Sequence, residues 1–183
     1  MSKPDTKPDD VLEFWCDAGP DRWWCKDDAF DAEIRGRFAH VWDAARNGQL
    51  SSWQASDNGV LALLIVLDQF PRNMFRNDAR AFSSDALARE VASRAIAEGR
   101  DHRIEILLRV FIYMPLMHSE DLTDQERCVA LLDQSGDEEN LKYAEEHADI
   151  IRKFGRFPHR NPVLGREMKP EEAAFLESGG FAG

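Results

Sequence analysis

Apolar residues recur along this chain at spacings of three and four, the period of a helix face, and no stretch shows the strand alternation bounded by hairpin turns. The pattern predicts a short first helix over residues 10–15, ended by Gly19-Pro20 just before the pair Trp23-Trp24. Asp27 or Asp28 can cap the next helix, in which Phe30, Ile34, Phe38, Val41, Trp42 and Ala45 share one face until Gly48. A third helix follows Asp57 and runs from Val60 to Phe70 with almost no polar face, which places it centrally; Pro71 is expected to stop it.

The second half reads the same way. A fourth helix follows Ser84-Asp85 and closes near Gly99, and a fifth, over residues 103–114, meets Pro115, which breaks or kinks it just before His118. Thr123-Asp124-Gln125-Glu126 reads as a capping box, opening a sixth helix that reaches about Ser135, with a start that can slide toward Glu120. Residues 138–154 form a seventh, stopped by Gly155, and Pro170 opens a last short helix with Ala174, Phe175 and Leu176. About seven to eight helices with short links predict an all-α domain of stacked antiparallel pairs spanning residues 10–183, behind a flexible segment at 1–9.

Composition narrows the function classes. At 183 residues the chain can bury a sizeable core, and its formal charge of -11 repels nucleic acid and anionic membrane at long range. The longest apolar run, residues 60–67, is far short of the roughly 20 residues of a membrane span. The charged, proline-containing start carries no secretory signal, so a cytoplasmic protein is expected. Cys16, Cys25 and Cys128 contain no Cys-x-x-Cys pair and are expected to be reduced thiols rather than a disulfide framework or a thiolate metal site.

Three polar strings interrupt the helical pattern: Asp68-Gln69-Phe70-Pro71-Arg72-Asn73, His118-Ser119-Glu120-Asp121, and Gly155-Arg156-Phe157-Pro158-His159-Arg160-Asn161. The first and third share a Phe-Pro step followed by Arg-Asn. Residues 150–166 hold no Asp or Glu but five arginines and lysines, Arg152, Lys153, Arg156, Arg160 and Arg166. A basic island this small in an acidic chain suits one small anion better than a phosphate-backbone track.

On these strings, together with Val11-Leu12-x-Phe14-Trp15, Arg22-Trp23-Trp24 and the closing Gly179-Gly180-Phe181-Ala182-Gly183, the chain resembles the bacterial family known as domain of unknown function 924. The resemblance implies an all-helical, tetratricopeptide-like fold. It brings no established reaction, ligand or cofactor.

The strings therefore have to be weighed by their own chemistry, and they are expected to converge on one surface. Arg72, Arg156 and Arg160 present planar donor forks that match carboxylate or phosphate oxygens, and Asn73 and Asn161 can add amide donors. That suits a binding module for a small anionic metabolite or a peptide carboxylate. His118 or His159 with Glu120 or Asp121 would instead suit a hydrolase-like acid/base site. Asp68, Glu120 and Asp121 can also simply balance the arginines in a structural ion-pair network. No zinc-like spacing of ligands is present, so neither a metal nor another cofactor is expected. His147, on the helix face that carries Ile150 and Phe154, reads as a core histidine, and since Trp23 and Trp24 cannot easily share one buried face, one of them is expected to line a groove.

Overall fold

A computed structural model describes residues 5–181, which divide into two compact units, one of residues up to Arg76 with Arg80–Pro115 and one of Asn77–Ala79 with the chain from Leu116 onward. Every regular element among the described residues is helical. The segment read as flexible lies outside the described residues over 1–4, as do Ala182 and Gly183 of the closing string.

The first unit holds α1 (Pro8–Ala18), α2 (Pro20–Trp23), α3 (Asp28–Arg46), α4 (Asp57–Leu64), a π-helical turn (Ile65–Gln69), α5 (Phe70–Met74) and α6 (Asp85–Ala97). It also holds all but the last two residues of α7 (Ile106–Met117). Asp27 caps α3 by accepting from the amides of Ala29 and Phe30, and the apolar face of α3 is buried as its spacing predicts. α1 and α6 pack on α4, and α3 packs on α5. Their core is aromatic: Phe14, Trp15, Trp23, Phe30, Phe38, Phe70 and Phe111 lie ring against ring, with Phe38 and Phe70 stacked at 4.9 Å. The Trp23 indole donates to the Trp15 carbonyl at 2.7 Å, whereas its neighbour Trp24 is about half exposed and stacks on Phe111.

Pro71 does not end the helical run. The preceding turn widens so that the Phe70 amide reaches back to the Ile65 carbonyl, one residue further than in an α-helix. Pro71 has no N–H to offer the Leu67 carbonyl, and the Ser84 hydroxyl donates to that oxygen instead, at 2.6 Å, while accepting from the Trp42 indole at 3.0 Å. Arg72 Nη1 likewise donates to the Asp68 carbonyl at 2.7 Å. With these carbonyls satisfied from outside the ladder, the run continues through α5 to Met74. Pro115 similarly lies inside α7, which extends to Met117.

The second unit is built on α8 (Leu122–Ser135) and α9 (Glu138–Phe154), which pack side by side, followed by an irregular stretch and α10 (Pro170–Glu177). Gly136 turns the chain in the left-handed conformation, and Asp137 caps α9 through the Asn140 amide. Buried Gln125 donates to the carbonyls of Met117 and Ser119, both at 2.6 Å, which satisfies chain ends left open after α7. Ile150, Ile151 and Phe157 form an apolar cluster, against which Phe154, Phe175 and Phe181 pack. Among the described residues no helix is long and apolar enough to cross a membrane.

Candidate functional site

The second and third polar strings meet in the second unit. The Phe157 amide donates to Glu120 at 2.8 Å, and Arg160 Nη2 donates to the His118 carbonyl at 3.0 Å. The first string belongs to the first unit and has its partners there.

Two carboxylates organise the meeting of the strings. Glu120 accepts both arms of the Arg166 fork, at 2.7 and 2.9 Å, besides the Phe157 amide. Glu172, fully buried at the start of α10, accepts from four donors: Arg156 Nε at 2.6 Å, Arg156 Nη2 at 2.8 Å, Asn161 Nδ2 at 3.0 Å and the Lys169 amide at 2.8 Å. Arg156 is thus tied to α10 and Arg166 to the link between α7 and α8, and the chain between them is held at both ends. Arg156 also donates to the Glu167 carbonyl at 2.8 Å.

The electrostatics follow from the donors. Hydrogen bonds from Arg156 dominate at Glu172 and, with the Lys169 amide and despite some burial, lower its pKa from the ordinary 4.5 to about 2. At Glu120, burial favours the neutral form, but Arg166, the Phe157 amide and the Arg160 charge together outweigh it, and its pKa is lowered. The Arg156 guanidinium is correspondingly held charged, first by its hydrogen bonds to Glu172.

Asp121 is a helix cap: its side chain accepts from the Thr123 amide at 2.8 Å at the start of α8. Ser119 donates to Asp124 at 2.8 Å and accepts from the Asp121 amide at 3.1 Å. Asn161 is fully buried; its amide nitrogen goes to Glu172, and among the described residues its side-chain oxygen has no hydrogen-bond partner.

The imidazoles form a cluster of their own around Phe157. His147 lies 5.4 Å from the Phe157 ring, His159 lies 5.7 Å from it, and His118 is 6.5 Å from His147. The Arg160 guanidinium sits 4.5 Å over the same Phe157 ring. Phe181 closes the group, 4.4 Å from His147 and 5.2 Å from His159. His147 is buried as its helix position predicts, and its Nδ1 lies 2.7 Å from the Tyr143 carbonyl. A carbonyl can only accept, so Nδ1 carries the proton.

In the first string, Arg72 pairs with both oxygens of Asp85 at 3.0 Å and with buried Asp68 at 3.1 Å. Burial works against its charge, but the two carboxylates prevail and its pKa is raised. Asn73 donates to buried Asp31 at 2.8 Å, and Arg76 joins the same carboxylate. Gln69 bridges to Asp68 at 2.6 Å and to the Met114 sulfur at 3.1 Å. Among the described residues no group of three or more His, Cys, Asp or Glu is placed to hold a metal ion.

Sequence reasoning missed four contributors here: Arg166 as the partner of Glu120, Glu172 as the partner of Arg156, and His147 and Phe181 as members of the imidazole cluster. Glu172 carried a faint local signal as the third residue of a helix opened by proline, where a glutamate accepts from the preceding backbone amide. The others depend on how distant segments pack.

No curated protein matches the sequence. A solved structure of a protein of unknown function, ATU0120 from Agrobacterium tumefaciens, is similar to the chain at 45% identity and a TM-score of 0.91, covering 94% of this chain and 97% of that one. The family described as bacterial protein of unknown function (DUF924) matches over residues 11–180. With nearly the whole length matched in both comparisons, the chain belongs to the DUF924 family.

Proposed function

We propose that the protein is a binding module for a small carboxylate or other anion, taken up in the second unit by Arg160, His118 and His159. The observation that carries this reading is the gathering of Arg160, His147 and His159 around Phe157, with His118 beside His147; of these, Phe157, His159 and Arg160 lie in the acid-free stretch 150–166. Guanidinium and imidazole N–H groups supply charge-assisted donors, and the Phe157 ring gives them a rigid backing. Arg156 and Asn161 support the site from behind through Glu172, and Arg72 and Asn73 serve the first unit in the same structural way.

This reading is favoured over acid/base catalysis by the commitments of the acidic residues. Glu120 accepts from Arg166 and the Phe157 amide, and Asp121 caps α8, so both have duties other than orienting an imidazole. Binding should raise the melting temperature with ligand concentration and move the imidazole signals of His118 and His159 in NMR spectra. Citrate and phosphate, titrated at constant ionic strength, are the first probes. Arg160→Ala should remove both responses in a protein that still folds; no response to either anion in the unmodified protein would overturn the proposal.

A further inference from the structure

The imidazole cluster already contains an aromatic guest, and it comes from the chain itself. Phe181 lies on the segment after α10, half-buried, with its ring against His147 and His159 and packed on the cluster that includes Phe157. Two glycines set the course of that segment. Gly179 has φ +87°, a conformation other residues rarely adopt, and the Gly180 amide donates to the Phe175 carbonyl at 3.0 Å. A Cβ at Gly180 would stand 2.5 Å from the Phe175 ring, so the backbone there lies directly on the ring face. The Phe175 ring is in turn packed on Phe154 at 5.2 Å. The path that delivers Phe181 therefore needs a residue without a side chain at 180.

From this arrangement we infer that the slot filled by Phe181 is an aromatic subsite, and that the site's ligand is an aryl carboxylate whose ring replaces Phe181 while its carboxylate reaches Arg160. The inference rests on the binding role proposed for Arg160 and the histidines. Phe157 is the common neighbour that makes it chemically coherent: Arg160 lies over its ring, and His147 and His159 connect the same ring to Phe181. The proposed ligand places its ring in the slot and its anion on the guanidinium, with Phe157 as the side chain the two positions share. Phe181 also acts as a competitor held in place by its own chain. The affinity for an outside ring falls by the fraction of time the slot is open, so a slot filled nine-tenths of the time weakens binding about tenfold.

The test compares phenylacetate with acetate, at constant ionic strength, on the unmodified protein, Phe181→Ala and Gly180→Ala, read by imidazole NMR shifts and melting temperature. Phenylacetate should bind Phe181→Ala about ten times more tightly than the unmodified protein, and acetate should bind both alike. Gly180→Ala, whose added methyl presses on Phe175 and leaves the imidazoles and Arg160 unchanged, should displace the segment, move phenylacetate affinity in the same direction and serve if Phe181→Ala loses helix content. Equal binding of phenylacetate to all three proteins, or no preference over acetate in the opened variants, would overturn the inference. Citrate binding lost on Arg160→Ala alongside that result would leave the anion site standing and remove only the aromatic subsite. Silence toward citrate, phosphate and phenylacetate in every protein would remove both.

Discussion

The two units solve the same problem, fixing helix ends, with different materials. In the first, the ends rest on an aromatic core in which Phe70 touches Phe14, Trp15 and Phe38, and the arginines trim a helix irregularity at its edge. In the second, the stretch between α9 and α10 has only Phe157 fully buried in the apolar cluster, and the chain is held by Glu120 and Glu172, each gripping an arginine fork. Apolar contact is indifferent to direction, whereas a fork on a carboxylate holds one orientation. The difference teaches that an irregular segment can be positioned accurately without a large core, provided every buried carboxylate is matched by donors.

The comparison is broken most severely by removing apolar bulk from the first unit. Phe70→Ala should cost about 3–5 kcal/mol in denaturant unfolding, because a fully buried ring leaves a cavity among others that cannot collapse into it. A loss below about 1 kcal/mol would mean the aromatic core is not the main support of that unit.

Next in size is Arg72→Ala. It leaves Asp68, buried within the π-turn, without its guanidinium, and should cost about 3 kcal/mol. Asp68→Asn combined with it should recover much of the loss, since the stranded charge is then gone; an additive double mutant would show that the pair is not coupled.

The second unit is better probed by pH. Glu172 and Glu120 have pKa values lowered in the folded protein, so their contribution is complete above the ordinary carboxylate value and is lost as the pH falls through the folded value. For Glu172 the decline should begin near pH 4.5 and finish near pH 2. Unfolding midpoints of Glu172→Gln should be lower than those of the unmodified protein at neutral pH, and the two curves should converge in acid. Curves that stay parallel to pH 2 would show that Glu172 does not act through its charge.

The smallest effect is kinetic. Cys16 and Cys25 are exposed in the first unit, while Cys128 is buried in the second and its thiol is pushed up to about 12 by desolvation. Burial and the neighbouring Glu105 and Asp17 also raise Cys16. Maleimide should label Cys25 first and Cys16 more slowly, and reach Cys128 only when the second unit opens. Early labelling of Cys128 would show that the carboxylate-held unit opens more readily than its hydrogen bonds suggest.

Much of this fold was legible from local rules. The cap at Asp27, the left-handed Gly155 and the buried face of α3 follow from neighbours within a turn or two, and the structure contains each of them. Pro71 misled because its effect was relieved from a distance, by a hydroxyl on Ser84 that no local pattern connects to Leu67. The candidate site was legible as composition but not as pairing: Arg156, Arg166, Glu120 and Glu172 admit several matches on charge alone. Which arginine takes which carboxylate is decided by how α8, α9 and α10 pack. The part played by Phe181 had no signal in charge or periodicity.

The π-turn at Ile65–Gln69 has a further consequence for how this chain can change length. It holds one residue more than an α-helix would need, which rotates everything after it by about 100° around the helix axis. Deleting a single residue there would restore a regular helix yet swing Arg72 away from Asp85 and Asn73 away from Asp31 together. This stretch behaves as a counted spacer, and its length is as much a part of the first unit's specification as the identity of its side chains.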